Sequence, residues 1–583
     1  MRDHTLGWVQ NSSNFENLRN FVEAFVPNSK RWNYIMKTLS ETDIVRDPDV
    51  RQSLKTALNQ SVVKLNFSQL VGTRSPQNDK NSCNAIGQIA VAGQRRPFVD
   101  DWSAACFLRW AECLGFVKTD MEAYWFKLTD RGRLFASDFV VSNLNDNEAL
   151  VQGLMEYPPV SRILKYLKEN NSRAVSKFEL GQNLGFSGED GFTSMGQSTL
   201  SYLRRVDNMK DRKKLLTDVE GSSDKYARMI CSWLSCLGWV KQEPFSLENK
   251  NFKDPIKCPW FYRIEFRGEN ILRRIDGVSI HPSVEKYVSW NMLATKAKNK
   301  VFLRNRRAML LNILKSKKSS ITEDYIISEM EKKGFPDYIY ELPVDFIGLV
   351  NCGIEIETSG VSKKNYFLRS KIKGLIIPQQ KNITYLEDAK LEKLKHEIRR
   401  KTPNIDPRYV ELIEISRSKS LAKIFEVQVA DLLQKEYGLE TTLLGGGWAP
   451  DSLAFVEDAG CSYGVIIDTK AYKDGFSLPV SEQDKMIRYI EDNKNRPTQS
   501  QGNKFWWRNF PEKIEDFKFL FVSSKFSNSS IQKGLEYIFS RTQVHGAVLN
   551  AEQILYGAEL IKTKKINLEE FGGFFKEKEI YFE

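Results

Sequence analysis

Apolar residues along the first part of the chain recur at helical spacing in short blocks that end on glycine and give way to brief apolar strands. Trp110-Ala111-Glu112-Cys113-Leu114-Gly115-Phe116-Val117-Lys118 recurs as Trp233-Leu234-Ser235-Cys236-Leu237-Gly238-Trp239-Val240-Lys241. Each copy closes a helical pattern that opens on a polar cap, Asp101-Trp102-Ser103 in the first and Ser222-Ser223-Asp224 in the second. Glycine just past the last turn suits a left-handed stop. A second strand follows in both, Tyr124-Trp125-Phe126-Lys127-Leu128 and Trp260-Phe261-Tyr262-Arg263-Ile264. Helix, strand, loop, strand is the trace of a winged helix, whose helix enters the major groove of DNA while the wing touches phosphate. A weaker third copy runs from Phe346 to Ile354 and on to Tyr366-Phe367-Leu368, after a helical stretch at 305–314. Three tandem modules read as duplication, although glycine between a helix and a strand is common punctuation.

The pattern changes after Ile377-Pro378-Gln379-Gln380-Lys381-Asn382, a polar stretch with a proline that reads as a linker. A charged helical run follows at 387–400, and a longer helix is predicted over 409–437, interrupted near 416–420 and stopped by Gly438. The expected divisions are residues 1–142, 143–285 and 286–377 for the three modules, 378–386 for the linker and 387–583 for the last domain. The fold class expected is therefore multidomain, with mainly α winged-helix-like modules carrying small β wings ahead of a separate last domain.

Composition narrows the function. With 583 residues, 41% hydrophobic and 27% charged, the chain can build several ordinary cores. No apolar run approaches a membrane span and the N-terminus has no apolar signal core, so a soluble, intracellular protein is expected. Eighty-six Lys and Arg against 74 Asp and Glu leave a net charge of +12. A basic surplus points first to nucleic acid, because neutralising phosphates releases counterions; a basic surface without a ligand is the plainer alternative. The eight cysteines form no C-x-x-C pair, and the four histidines are far apart. Zinc-type and histidine-based nuclease sites are thereby disfavoured, and hydrolytic chemistry should rest on carboxylates and lysines.

Such a set exists near the C-terminus. Gly445-Gly446-Gly447-Trp448-Ala449-Pro450-Asp451 runs into a strand, and Gly464-Val465-Ile466-Ile467 ends abruptly on Asp468-Thr469-Lys470. Strand side chains alternate faces, so Asp468 and Lys470 project on the same side, and pairing of the two strands can set Asp451 beside Asp468. Two carboxylates can hold Mg²⁺, which acidifies a bound water and offsets charge on phosphate oxygens. Lys470 can position that water and stabilise the transition state. This is the P-D…(D/E)-x-K arrangement of many nucleases, and Glu426 on the preceding helix could add an acid. Pro48-Asp49 and Pro336-Asp337 lack a downstream acid-x-Lys partner within thirty residues. The plainer alternative is a surface Asp/Lys pair on an edge strand. For the second recognition helix, Glu220 and Lys225 could read cytosine and guanine edges or could simply be a solvated cap.

The chain resembles the FokI-type type IIS restriction endonucleases along nearly its whole length. The resemblance is carried by Gly7-Trp8-Val9-Gln10-Asn11, Phe15-Glu16-Asn17-Leu18, Phe107-Leu108-Arg109-Trp110, Asn183 to Glu189, Glu220 to Met229, Tyr409 to Ile415 and Asp468 to Tyr472. It implies three winged-helix-like recognition subdomains, an α/β cleavage domain of the P-D…(D/E)-x-K class with a central mixed sheet and Asp451, Asp468 and Lys470 as catalytic positions, and Mg²⁺ as cofactor. It further implies an asymmetric duplex site, GGATG in the type member, cut on both strands a fixed distance away. Gln10, Asn11, Gln94, Trp102, Glu220 and Lys225 match positions used at the DNA. The enzyme is expected to be a cytoplasmic bacterial monomer. Two cleavage domains would pair transiently through the helix at 481–491, with Asp484 and Arg488 as the interface pair, and a companion DNA methyltransferase would protect the host. On helix spacing alone, Asp484 and Arg488 are also an ordinary i, i+4 surface pair. The chain departs from the type member at Asn78, where an arginine is expected and Arg74 and Lys80 lie near, at Thr217, and in the loop Arg95-Arg96-Pro97. A lost arginine–guanine contact is worth about 1–3 kcal/mol of discrimination, so neighbouring basic residues compensate or the site differs. A non-catalytic tandem winged-helix regulator is the alternative, and the intact Asp451, Asp468 and Lys470 set argues against it.

Overall fold

A computed structural model of the chain describes residues 6–74, 81–120, 124–196, 198–204, 209, 212–213, 216, 220–249, 254–278, 282–360, 364–378, 386–444, 448–458, 461–497, 505–526 and 528–582. Asn78, Lys80, Thr217, the centre of the expected linker (379–385) and Gly445 to Gly447 lie outside the described residues. By packing, the chain divides into two compact units, one of Met1–Phe186, Ser222–Pro244 and Pro259–Thr384, the other of Ser187–Gly221, Phe245–Cys258 and Tyr385–Glu583. Two segments inside the expected second module thus pack with the C-terminal region. Gly188, at φ +101°, lies against the Arg408 carbonyl, and Gln428 Nε2 donates to the Ser194 carbonyl at 3.5 Å.

The first unit repeats one small motif three times. Strands β1 (Lys64–Asn66), β2 (Val117–Asp120) and β3 (Trp125–Leu128) form an antiparallel sheet in the order β1-β3-β2. Strands β4 (Val175–Ser176), β5 (Val240–Gln242) and β8 (Phe261–Ile264) give the order β4-β8-β5, and β6 (Phe245–Leu247) pairs with β7 (Ile256–Cys258) as a hairpin in the second unit. Strand β9 (Lys286–Tyr287) pairs in parallel with β13 (Ile372–Lys373), while β10 (Ile321–Thr322), β11 (Ile356–Ser359) and β12 (Asn365–Leu368) repeat the order β10-β12-β11. A helix leads into the edge strand β2, β5 or β11 of each triplet: Asp101–Cys113, Ser222–Cys236 and Leu342–Asn351. Each ends before a glycine at positive φ (Gly115 +70°, Gly238 +66°, Gly353 +93°), the left-handed stop that a side chain would strain. The first cap is Asp100, one residue earlier than expected, its side chain accepting from Ser103 N at 2.8 Å. In the third copy the run from Phe346 is itself helical; the stretch at 305–314 belongs to an earlier helix, Lys300–Ser316.

The repeated tryptophans explain why the motif persists. Trp110 and Trp233 are fully buried and stack with ring centroids 4.8 Å apart, so the first two copies meet through equivalent residues. The N-terminal strand of chain is threaded over this contact: Ser12 O accepts from Trp233 Nε1 at 2.6 Å, Gly7 O from Tyr157 Oη at 2.9 Å, and Met292 O from Trp8 Nε1 at 2.9 Å. The third copy has an ionic core instead. Asp345, wholly buried, accepts from Arg306 (2.7 and 2.9 Å), Arg307 (2.9 Å) and Tyr338 (3.1 Å), and Arg306 also meets Glu341 at 3.0 Å. Such a network holds only because every charge has a partner.

The second unit is built on a six-stranded sheet in the order β14 (Glu440–Leu443), β15 (Ser452–Asp458), β16 (Cys461–Lys470), β17 (Phe517–Ser523), β18 (Gly546–Asn550), β19 (Lys578–Glu579). The first three strands pair antiparallel and the rest parallel, so the sheet is mixed as expected. The predicted long helix resolves into a 3-10 turn Pro407–Glu411, a short helix Leu412–Ile415, and the helix Ala422–Lys435, with the break at the polar residues and Gly438 at φ +80° after it. On the other face, Met486, Tyr489 and Ile490 of the helix Val480–Asn495 join Leu453, Ile466, Phe519 and Phe521 in one core. Among the described residues no helix is long and apolar enough to cross a membrane.

Glu112, 2% exposed on the first repeat helix, has its carboxyl pushed up to about 7, because burial outweighs the hydrogen bond from Tyr287. The folded chain therefore binds this proton more tightly than the unfolded chain, and the stability it contributes is full below about pH 4.5 and lost as pH rises through 7. Glu112→Gln should remove that loss, making the first unit more resistant to urea at pH 8 by up to about 3 kcal/mol, with little change at pH 4.5; an unchanged pH slope would contradict it.

Candidate active site

The site forms where β15 begins and β16 ends. Their antiparallel register pairs Ser452 with Ile467, which places Asp451 and Asp468 at the next step. Asp451 Oδ2 accepts from the Thr469 amide at 2.7 Å and from its hydroxyl at 3.0 Å, so both bonds aim this carboxylate at β16. Ile466, Asp468 and Lys470 share one face of β16 by strand alternation, the face that packs on the helix Val480–Asn495. Neighbouring β17 pins the strand end, Ser523 Oγ donating to the Lys470 carbonyl at 2.7 Å.

Asp468 is 1% exposed. Its Oδ2 meets Lys470 Nζ at 3.0 Å and Lys485 Nζ at 3.2 Å, while its Oδ1 has no hydrogen-bond partner. Burial, and then the charge of Asp451, push the Asp468 carboxyl up to about 6, against the pull of Lys470 and Lys485. Burial alone would lower the Lys470 ammonium, but the Asp468 carboxylate beside it leaves it raised; Lys485 is raised for the same reason. A buried carboxylate with an idle oxygen and an acid facing it is a cation-seeking arrangement. Among the described residues no group of three or more His, Cys, Asp and Glu gathers into a full protein cage for a metal. The two-carboxylate set instead fits a hard divalent ion that keeps water and takes phosphate oxygens as its other ligands.

The carboxylate of Glu426 is engaged by Lys423 on its own helix. The third acid is Glu482, whose Oε2 lies 2.8 Å from Lys470 Nζ and 3.6 Å from Lys485 Nζ. Neither Glu482 nor Lys485 was expected from the sequence; the only local signal is their i, i+3 spacing at the start of a helix. Asp484 on the same helix is exposed and makes no ion pair with Arg488. Arg488 lies over the rings of Trp448 (4.8 Å) and Tyr489 (5.3 Å), so the intrahelical pair does not form. The Tyr489 hydroxyl donates to the Ala449 carbonyl at 2.7 Å, tying this helix to the loop that delivers Asp451.

In the first unit, Asn11 and Trp102 sit together, the Asn11 carboxamide 3.0 Å from Trp102 Nε1, and Arg109 lies 5.3 Å from the Trp102 ring. Trp102 is exposed, and exposed Gln94 lines with Asn11, Arg95 and Arg96 a cleft of about 500 Å³. Gln10 points inward: it is 5% exposed and its Nε2 donates to Tyr226 Oη at 3.5 Å. Lys225 is half-buried on the helix Ser222–Cys236 of the first unit, while Glu220 belongs to the segment packed in the second.

Comparison with known proteins covers the chain in consecutive pieces. The families described as FokI recognition domain subdomain 1, recognition domain subdomain 2, D3 domain and cleavage domain match residues 4–138, 146–273, 293–361 and 388–581. The type II restriction enzyme FokI of Planomicrobium okeanokoites is 36% identical over 99% of both chains. The type II restriction enzyme StsI of Streptococcus sanguinis is 28% identical over 96% of this chain and 92% of its own. The solved structure of FokI superposes with a TM-score of 0.90 over the full length of both chains. That of FokI bound to DNA superposes with a TM-score of 0.89 over 99% of this chain and 100% of its own.

The Tyr489–Ala449 bond gives the site a stability test. Tyr489→Phe leaves a buried carbonyl without its donor and should cost the second unit about 1–2 kcal/mol, read as a lower urea midpoint with unchanged circular dichroism; an unaltered midpoint would show that the loop is held by packing alone.

Proposed function

Because the chain belongs to the FokI family of type II restriction endonucleases, we propose that Asp451, Asp468 and Lys470 cut the DNA that its N-terminal modules select. The chain is a type IIS endonuclease, a site-specific deoxyribonuclease, and its family implies a divalent metal. The three repeated helix-and-sheet motifs support a winged-helix-like reading of the modules at 1–142, 143–285 and 286–377, and the last domain, 387–583, is read as P-D…(D/E)-x-K. The target is an asymmetric duplex site, GGATG or a variant of it, with Asn11, Gln94 and Trp102 at the exposed cleft as the leading base contacts. Gln10, Glu220 and Lys225 complete the base-reading set. The net charge of +12 supports a salt-dependent phosphate contact.

The observation that carries the catalytic reading is Asp451 facing Asp468 across β15 and β16, with one Asp468 oxygen idle and Lys470 on the other. Asp451 and Asp468 would hold Mg²⁺. When bound, the ion supplies an acidified water and offsets charge on the phosphate. Lys470 orients the attacking water by donating to it and neutralises the charge that develops on the phosphoryl oxygens as attack proceeds in line. Burial of Asp468 keeps competing water from the carboxylate. To cut both strands, two copies would pair through the helix Val480–Asn495 in a two-fold contact, Asp484 of one meeting Arg488 of the partner subunit once it leaves Trp448. A cytoplasmic location and a companion methyltransferase follow from the same reading.

A denaturing-gel assay on an end-labelled duplex with a single GGATG, beside a scrambled duplex and the Asp468→Asn protein, tests this. Discrete cuts on both strands at one downstream offset are expected, with a loss of about a hundredfold or more in the variant. Equal cutting of both duplexes would overturn the site assignment, and full activity in Asp468→Asn would overturn the catalytic one.

A further inference from the structure

We infer that Glu482 is a positioning residue that draws Lys470 and Lys485 away from Asp468 and so lets a divalent cation share that carboxylate. This rests on the two-carboxylate metal reading above. Lys470 and Lys485 both lie on the same oxygen, Asp468 Oδ2, at 3.0 and 3.2 Å. A divalent cation brought to Asp468 would meet two ammoniums already in contact with it, and like charges at such range repel strongly where water is scarce. Something must hold the lysines elsewhere, and Glu482 is placed to do it. Its Oε2 is closer to Lys470 Nζ (2.8 Å) than Asp468 is, and it stands 3.6 Å from Lys485, so a shift of a fraction of an ångström transfers that lysine.

Charge accounting gives Glu482 and Lys485 opposite effects. Asp451, Asp468 and Glu482 against Lys470 and Lys485 leave one net negative charge at the site. Neutralising Glu482 removes it, whereas neutralising Lys485 doubles it. The helix geometry makes both residues available together: Glu482 and Lys485 lie one turn apart on the side that meets β16, and Lys485 Nζ rests 5.6 Å from the Tyr489 ring that anchors that side. Lys485 also feels the charge of Asp451, so its ammonium bears on both carboxylates, whereas Glu482 acts through the two lysines.

The test is a Mn²⁺ titration of the full-length protein without DNA, following the electron paramagnetic resonance of the free ion. Glu482→Gln should raise the Mn²⁺ Kd about tenfold, at the lower edge of what residues behind metal ligands usually cost. Glu482→Asp should recover part of the loss, Lys485→Met should lower the Kd, and the double variant Glu482→Gln with Lys485→Met should return close to the unsubstituted protein. Thermal unfolding of each variant shows whether the helix is intact; if Glu482→Gln fails to fold, the opposite sign expected of Lys485→Met decides alone. A Kd for folded Glu482→Gln within twofold of the unsubstituted value, or weaker binding in Lys485→Met, would overturn the assignment. Asp468→Asn is run beside them: if it binds Mn²⁺ as well as the unsubstituted protein, the two-carboxylate reading falls and this inference with it.

Discussion

The burial of Asp468 constrains everything around it. A carboxylate at the end of an apolar strand, 1% exposed, would stay protonated unless cations stood beside it, and the chain supplies two, Lys470 from the same strand and Lys485 from the facing helix. Those lysines are themselves costly to bury, and Glu482 offsets them. The core under the site is what makes this possible. Met486, Tyr489 and Ile490 fix the helix on Ile466, Phe519 and Phe521, and the polar side chains at the helix start are thereby held to within hydrogen-bond reach of the strand end.

The same helix has a second side. Asp484 and Arg488 sit one turn apart, just beyond Glu482 and Lys485 in the helical wheel, and Arg488 rests over Trp448 in the loop that leads to Asp451. Any contact that moves Arg488 acts on a helix whose other side holds the lysines of the site. The interface expected of the family and the acid–lysine network are therefore mechanically adjacent, on one rigid element and one loop.

At the other end of the chain the constraint is apolar. The stacked Trp110 and Trp233 join two copies of a motif too small to bury its own face, and the segment from Leu6 to Ser12 is held by three side-chain-to-carbonyl hydrogen bonds, from Trp233 to Ser12 O, from Tyr157 to Gly7 O and from Trp8 to Met292 O. This fixes where Asn11 emerges beside Trp102 and the Gln94 cleft. It also turns Gln10 inward to Tyr226, while Asn11 beside it faces the cleft.

Local rules made much of this legible before any coordinates. Glycine stops, a repeated tryptophan and the period-two alternation of β16 are properties of neighbouring residues, and they sufficed for the repeats and the shared face of Asp468 and Lys470, whereas the mixed sheet came from the family resemblance. The facing of Asp451 needed one further step, an antiparallel pairing across a short turn, and that too is nearly local. What sequence spacing could not carry was rotation and distance. Glu482 is 14 residues from Asp468 along the chain, and its reach to Lys470 depends on how Met486 and Tyr489 seat the helix in the core. Glu426 had an equally plausible address, yet its helix turns it to Lys423. Arg488 goes to Trp448 and not to Asp484 because the ring face supplied from the loop before Asp451, beside that of Tyr489, outweighs a solvent-screened pair on the same helix. The described residues within 187–221 pack with the C-terminal unit, because burial is set by which surfaces meet and not by order along the chain. Periodicity determines which side chains share a face; only packing across the fold determines which faces, and therefore which charges, come within reach of one another.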